Sequence, residues 1–486
     1  MTILSFVLIS FLYFWCSSTA LSLGIGYYTL YRPIISGMLT GLILKDIQSG
    51  MLAGSIVNII YIDFVSTGGS LRGDQCLTAI IAAVAAVLFK LNPIEAAAIA
   101  YPFGFAGIFI WKYRLNINSI FVKKYDKKYK ENLKPNISIY NGLLPQMLLY
   151  FMSALVIVVS VGSMLLLRDL ILVYYEPLKN PLFLIGIYLI NISIINILFN
   201  FKNHRTIILF LSMLIITLLC NINSYIVMLI LFFFVMFLGF NDLLDIGKYD
   251  KKDIIVLNKR DLVYSWFIWM NFSHSCYNYE RLQGFAFAHS MKNIINKLYA
   301  DSELRIQGIN KYTEFFNTEP NMGTPIHGYI ISLEEQKSIG NGNIDVSYIK
   351  KGMMGIAAGL GDSFTQVVLA PLFMSTALIF SIDQNFIGIV FPVLLLVISI
   401  LYISYSGWMN GYYNGRESLI KRINKIKNNK IKKYFHLIFS GILGVLIGKL
   451  IIQNYLLLKN NLINVVVITF IAFFYSFIKL KINAKS

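Results

Sequence analysis

Seven stretches of this chain, 1–31, 135–167, 180–201, 206–241, 363–382, 384–415 and 460–478, contain no Asp, Glu, Lys or Arg. A helix needs about 20 apolar residues to cross the hydrocarbon of a bilayer, so each stretch holds at least one pass. The 206–241 stretch holds two shorter passes, broken at Asn-Ile-Asn-Ser, residues 221–224. No ten-residue blocks alternate polar with apolar residues, which argues against a β-barrel and for helices. The 1–31 run lacks a basic start and outlasts the apolar core of a secretory signal, so it reads as a retained first span. With 57% hydrophobic and 14% charged residues, the chain has too much apolar surface to be disordered. Cys16, Cys76, Cys220 and Cys276 are too scattered for a disulfide framework or a metal site, and read as packing residues. The expected fold is an all-α polytopic integral membrane protein with broken or re-entrant helices, plus a helical cytoplasmic region in the second half.

The formal charge of +18 is concentrated beside these runs. Residues 111–134 carry eight Lys or Arg against two acids, 416–433 carry eight against one, and Lys202 with Arg205 mark a further short loop. Short basic loops stay on the cytoplasmic side of a membrane. The charge is therefore read as topology, with affinity for anionic lipid head groups, and not as nucleic-acid binding.

Residues 241–262 form a polar, charge-balanced connector between two unlike halves. The expected divisions are a membrane part, 1–240, and a second part, 263–486. Within the latter, 263–350 is mostly cytoplasmic or interfacial and 351–486 is membrane-embedded. No motif repeats between the halves.

In the first half, Gly37 with Gly41 and Gly50 with Gly54 sit four apart, a spacing that lets helix backbones approach closely. Arg32, Asp46, Asn58, Asp63 and Asp74 lie in or beside apolar sequence. Ionisable groups there face partners or a wet cavity. The turn Ser66-Thr67-Gly68-Gly69-Ser70 interrupts any helix, and non-helical backbone at that depth lines a cavity or is buried in protein. Taken singly, each polar residue is equally well explained as an ion pair or a cap, and Asp46 suits a helix end. As a cluster they suit hydrogen bonding to a neutral polyol.

The stretch from Arg32-Pro33-Ile34 through Leu39-Thr40-Gly41-Leu42-Ile43-Leu44, Asp46, Gly50 and Gly54, followed by Gly68-Gly69 and Asp74, resembles enzyme IIC. This is a membrane component of the mannose-fructose-sorbose family of bacterial sugar phosphotransferase systems. The likeness runs over about 3–240 and is densest between 31 and 80. Lys45 stands where the family often has Gly, Asn58 where it has Glu or Gln, and Arg72-Gly73 where Pro commonly precedes the Asp.

In the second half, Asn278-Tyr279-Glu280-Arg281-Leu282-Gln283-Gly284, Phe315-Phe316-Asn317-Thr318-Glu319-Pro320, the Glu334-Glu335 pair and Gly359-Leu360-Gly361-Asp362-Ser363 occur in order. Gly355, Gly359 and Gly361 leave Asp362 free of bulk and open to backbone approach. There is no Walker A sequence, and Gly359-Leu360-Gly361 lacks the setting of a dinucleotide loop. The four blocks resemble enzyme IID of the same family, across roughly 260–486. His274 and Cys276-Tyr277 depart from its usual residues, as does Leu360. His274, His289 and His327 are read as structural, because the family's phosphohistidines belong to the soluble IIA and IIB components.

The resemblance implies a fused IIC–IID permease that binds a sugar in a membrane cavity, with a phosphorylated IIB partner donating the phosphoryl group. The chain itself is then a transporter component with no cofactor and no metal. Arg32, Asn58, Asp74, Asn278, Glu280, Arg281, Gln283 and Asp362 are the expected substrate-binding residues, with Asp74 or Glu280 accepting the reacting hydroxyl's hydrogen bond. By analogy the protein is a homo-oligomer, a trimer, in the bacterial inner membrane. Mannose, glucose, fructose, sorbose and amino sugars all remain open as substrates. Two rival readings also stand: an ion-coupled secondary transporter, and a degenerate, non-transporting receptor.

Overall fold

The computed structural model describes residues 1–20, 22, 24–64, 73–201, 203–240, 256–340, 346–426 and 429–483. Among them the regular structure is helical, with isolated bridges only between Asn278 and Leu282 and between Leu282 and Phe316. The expected turn at 66–70, and Arg72, lie outside the described residues.

Among the described residues, seven helical stretches are long and apolar enough to cross a membrane: Pro93–Lys130, Ile139–Leu166, Tyr175–Asn200, Tyr348–Ile382, Phe386–Ser418, Lys433–Gln453 and Leu462–Ile482. Five coincide with charge-free runs. The other two carry charge, and in Lys433–Gln453 the structure shows how it is tolerated. Lys449 is buried and donates to both carboxylate oxygens of Asp383 at 2.8 Å, so the pair is neutral overall. A paired charge facing the protein interior is compatible with a span.

The 206–241 run divides as expected into His204–Cys220 and Ser224–Phe240, and Asn221 closes the first with a left-handed φ of 45°. The 1–31 run is not one span. Its helix, Ile3–Ser17, has 15 residues, a rise of about 22 Å, and the chain then turns irregularly past the short turn Gly26–Tyr28. A cluster of small and hydroxyl residues explains the break. Ser22 Oγ donates to the Ser18 carbonyl (2.8 Å) and Thr29 Oγ1 to the Ile25 carbonyl (3.0 Å), so side chains satisfy part of the backbone that the helix no longer pairs.

Helices Pro33–Ile43 and Ile47–Ile60 form a tight hairpin too short to cross twice. The four-spaced glycines are its contact: a Cβ on Gly37 would stand 2.7 Å from Gly54 Cα, and one on Gly50 would stand 2.6 Å from Gly41 Cα. The Asp46 carboxylate caps the second helix by accepting from Ser49 N at 3.0 Å. Asp63 accepts from Ser193 Oγ (3.1 Å) and Asn196 Nδ2 (3.0 Å), tying this hairpin to Tyr175–Asn200.

Helix Lys259–Phe272 begins inside the expected connector, capped by Asn258 and Asp261. Residues 241–255 lie outside the described ones. The N–H groups of Val256 and Leu257 both donate to Glu335 Oε1, at 2.9 and 2.7 Å. The halves do not fold apart. One apolar core joins Ile9, Val57 and Ile80 with Phe373, Ile400 and Leu446. A second joins Val122, Tyr125 and Tyr140 with Trp269, Phe285, Phe316 and Trp408.

Candidate functional site

A cavity of about 160 Å³ lies between the halves. The first half contributes Tyr13, the irregular segment with Tyr27, Tyr28 and Tyr31, Asp74, and Gly107, Trp111 and Arg114 of helix Gly104–Lys130. The second half contributes His274, Tyr277, the loop Asn317–Asn321, Asp362 and Gln366. Three carboxylates, several aromatic rings and three amides (Asn317, Asn321 and Gln366) thus converge on one space, the mixture expected for recognising a small polar ligand.

Each carboxylate is held by its local fold. Asp74 caps helix Gln75–Leu88, its Oδ1 accepting from Leu77 N at 2.8 Å and its Oδ2 from the Tyr13 hydroxyl at 2.7 Å. Gly107 lets helix Gly104–Lys130 press against it: a Cβ there would stand 2.2 Å from Asp74 Cβ. Glu319 Oε1 accepts from the Tyr28 hydroxyl (2.8 Å) and Asn321 Nδ2 (3.0 Å), and its Oε2 from the N–H groups of Asn321 (3.1 Å) and Met322 (2.6 Å). The Tyr28 bond crosses between the halves. Asp362 opens a wide π-helical stretch, Asp362–Leu369, and its Oδ1 accepts from Gln366 Nε2 at 2.8 Å. Such wide turns are frequent at functional sites. Asp362 is only partly buried, and no described residue donates to its Oδ2.

The expected site residues separate into groups. Asp74 and Asp362 line the cavity together. Gln283 stands directly behind its wall: its Oε1 accepts from Thr318 N at 2.8 Å and its Nε2 lies 3.2 Å from His274 Nε2. Asn278 organises the turn, accepting at Oδ1 from Glu280 N (3.1 Å) and Arg281 N (2.9 Å). Arg281 pairs with Asp126 at 2.5 Å and bonds Thr313 at 2.8 Å, a link between halves outside the cavity. Glu280 is at the surface, its side chain 40% exposed and 3.4 Å from Lys123, and it does not line the cavity. Arg32 is buried behind Tyr27, whose ring lies 5.6 Å from its guanidinium carbon. Asn58 is buried in the hairpin, and among the described residues its Oδ1 has no partner. Neither lines the cavity. Of the glycines expected to clear space at Asp362, Gly355 and Gly359 face open space, whereas a Cβ on Gly361 would stand 2.4 Å from Glu319 Cβ.

The motif blocks meet in space. Gln283 N donates to the Phe316 carbonyl at 2.8 Å and Phe316 N to the Arg281 carbonyl at 3.3 Å, so residues 278–284 brace the loop that carries Thr318 and Glu319. Trp269 Nε1 holds the same loop through the Pro320 carbonyl at 2.9 Å. Glu319 is therefore a cavity-lining carboxylate that sequence reasoning passed over, although it lies inside a quoted motif. Tyr13 and Tyr28 were likewise missed, because aromatic residues in an apolar run read as span composition, and Trp111 and Arg114 because they fall in the basic segment 111–134 that was read as topology.

The three histidines take different places. His274 is on the cavity wall, and burial together with the nearby Arg114 pushes its imidazole down to about 4, so the ring is neutral near pH 7. His289 Nδ1 lies 3.2 Å from Asn141 Nδ2, and burial pushes it down to about 3. His327 is stacked between aromatic rings, with centroids 4.2 Å from Phe287 and 5.0 Å from Trp408.

Two family models cover the chain in succession. The PTS system sorbose-specific IIC component matches residues 3–237, and the PTS system mannose/fructose/sorbose family IID component matches 256–479. The mannose-specific EIID component of Escherichia coli (strain K12) is 30% identical over 38% of this chain, and the chain spans 65% of that relative's length. The sorbose-specific EIIC component of Klebsiella pneumoniae is 27% identical over 21% of this chain and 39% of its own. A cryo-EM structure of the mannose transporter ManYZ with microcin E492 is 29% identical, covering 42% of this chain and 71% of that one, at a TM-score of 0.32. With a IIC model on its first half and a IID model on its second, this multi-pass membrane chain belongs to the mannose/fructose/sorbose family of phosphotransferase-system membrane components.

Proposed function

We propose that the chain is the membrane permease of a sugar phosphotransferase system, with IIC and IID in one polypeptide and the sugar bound in the cavity between them. The observation that carries this reading is the cavity's composition: neither half builds it alone, and both supply carboxylates and aromatic rings. Carboxylates and amides take hydroxyl hydrogen bonds, while Trp111, Tyr27 and Tyr277 offer ring faces to the apolar side of a sugar. A phosphorylated IIB protein, supplied through IIA, donates its phosphoryl group to a sugar hydroxyl at the cytoplasmic side. The charged product re-enters an apolar path poorly, which makes uptake one-way.

Asp362 is the better placed acceptor for the reacting hydroxyl, because Asp74 already has both oxygens engaged. The same reading includes a homotrimer, and anionic lipid at the lysines that end helix Gly104–Lys130. Light scattering and lipid analysis of the purified protein test those two points.

The deciding experiment is uptake of labelled mannose, glucose, fructose, sorbose and glucosamine by vesicles containing the protein, with and without phosphorylated IIA and IIB. Uptake of at least one sugar that requires the phosphodonor supports the reading. Uptake driven by an ion gradient alone refutes it, as does failure of every sugar to bind or enter. A thermal-shift panel of the same sugars identifies the preferred one, since a ligand stabilises according to its affinity.

A further inference from the structure

Sugar binding leaves one group in the cavity without an obvious task. Arg114 is buried, 4% exposed, and lines the cavity. Its Nη2 donates to the backbone carbonyls of His274 (2.5 Å) and Ser275 (3.1 Å), and its Cζ lies 5.5 Å from the Trp111 ring centroid. Those contacts fix the guanidinium between the two halves. Nε is buried with no acceptor, and among the described residues no carboxylate pairs with Arg114. Buried cations ordinarily have a counter-charge, and an unpaired one is unfavourable.

The other charged groups on the wall are Asp74, Glu319 and Asp362. A neutral sugar needs no cation beside it. A phosphoryl group entering among three carboxylates does need one, because phosphoryl transfer is catalysed chiefly by positioning and by neutralising charge on the transferring oxygens. Arginine suits the role: its planar fork matches phosphate oxygens, and its charge persists on burial.

We propose that Arg114 is the phosphoryl-binding residue of this cavity, an assignment that rests on the phosphotransfer reading above. The sugar hydroxyl oxygen forms the new bond to phosphorus. The bond between phosphorus and the side chain of the phosphorylated partner protein breaks, and its electron pair stays with that side chain. The hydroxyl proton passes to Asp362 through the oxygen that has no protein donor. The Arg114 guanidinium donates to a phosphoryl oxygen throughout, while the carbonyls of His274 and Ser275 hold it in place through Nη2.

The test uses the full chain in nanodiscs with phosphorylated IIB, comparing wild type with Arg114→Gln and Arg114→Lys. Labelled mannose, or whichever sugar the uptake panel selects, reports binding by equilibrium titration and transfer by single-turnover kinetics. In Arg114→Gln the transfer rate is expected to fall by about 100-fold or more while sugar affinity changes by less than about 10-fold. Arg114→Lys should recover part of the rate, since it keeps the charge and loses the fork. The corresponding hexose phosphate should bind wild type more tightly than Arg114→Gln by more than the free sugar does.

Transfer at the wild-type rate in Arg114→Gln overturns the assignment. So does a loss of sugar binding as large as the loss of transfer with no recovery by lysine, which marks a purely structural residue. If wild type binds sugar but accepts no phosphoryl group from the partner, the functional reading fails first and takes this assignment with it.

Discussion

Gly107 is a tight point of the cavity wall. A Cβ at this position would stand 2.2 Å from Asp74 Cβ, 2.5 Å from its Oδ2 and 2.7 Å from its Cγ. Carbon atoms rest about 3.5–4.0 Å apart, so Gly107→Ala must open the gap by well over 1 Å. Asp74 cannot swing aside freely, because both its oxygens are bonded and its N–H donates to the Gly104 carbonyl at 2.8 Å. The helix must shift or the carboxylate must leave its cap. Overpacking of this kind costs about 1–3 kcal/mol, and a misplacement of about 1 Å at a reacting centre lowers rates by about 100-fold. Gly107→Ala should therefore insert into the membrane, melt several degrees lower in detergent and take up sugar about 10- to 100-fold more slowly. Asp74→Asn alone should also abolish efficient uptake, and the double variant should be little worse than either, since both act through one carboxylate. Wild-type uptake and melting in Gly107→Ala would refute the close approach, and with it the placement of Asp74 on the cavity wall.

Three further outcomes follow from individual contacts. Lys45 holds a left-handed backbone (φ 68°) in the hairpin turn; Lys45→Gly should relieve about 1 kcal/mol of that strain, less the entropy glycine adds to the unfolded chain, and leave uptake unchanged. Breaking the Lys449–Asp383 pair by Lys449→Met should destabilise by about 3–5 kcal/mol, and adding Asp383→Asn should restore much of the loss in thermal melts. His289, held near 3 when folded, is neutral in the native protein, whereas the unfolded chain takes up a proton below about 6.5. Its contribution is thus fully present above pH 6.5 and lost as pH falls toward 3. It amounts to about 2 kcal/mol less stability at pH 5 than at pH 7.5, a slope that His289→Gln should flatten.

The membrane class and most of the spans were legible because apolar length is a local property. Scanning for charge-free runs fails where a span carries charge, and in one case a distant residue neutralises it. Lys449 breaks a run in sequence, yet Asp383 lies 66 positions away and cancels it in space. The opposite error occurs at 1–31, where absence of charge looks like one helix but serines and glycines turn the chain into the cavity wall. Among the cavity-lining residues, Asp74 was legible as a carboxylate in apolar surroundings and Asp362 as the acid of the Gly359–Ser363 block. Glu280 and Arg281 share that signature within their motif, but they occupy a turn whose buried member, Gln283, braces the Thr318–Glu319 loop. A motif identifies residues that must stay together, and which of them faces the ligand is decided by the turn. Leu282 takes a left-handed φ of 49° there, and no sequence pattern announced it.

How the halves are joined bears on what fusion contributes. Arg114 reaches the His274 and Ser275 carbonyls, Asn118 Nδ2 reaches the Tyr277 carbonyl at 2.8 Å, Gln146 reaches Ser275 Oγ at 2.9 Å, and Tyr28 reaches Glu319. Both apolar cores contain residues from each half. An interface that shares its cores resembles an obligate one, and such interfaces hold without a covalent tether. The peptide link then serves mainly to fix stoichiometry and to speed assembly by raising effective concentration. A protease site inserted between residues 245 and 250 tests this directly. After cleavage in the membrane the fragments should co-purify and transport at close to the uncut rate, whereas fragments made in separate cells and mixed should recover little, because neither can bury its share of the cores alone. Dissociation of the cut protein in mild detergent would mean that the shared cores are too weak to hold the cavity together, and that the connector does more than count one half for each of the other.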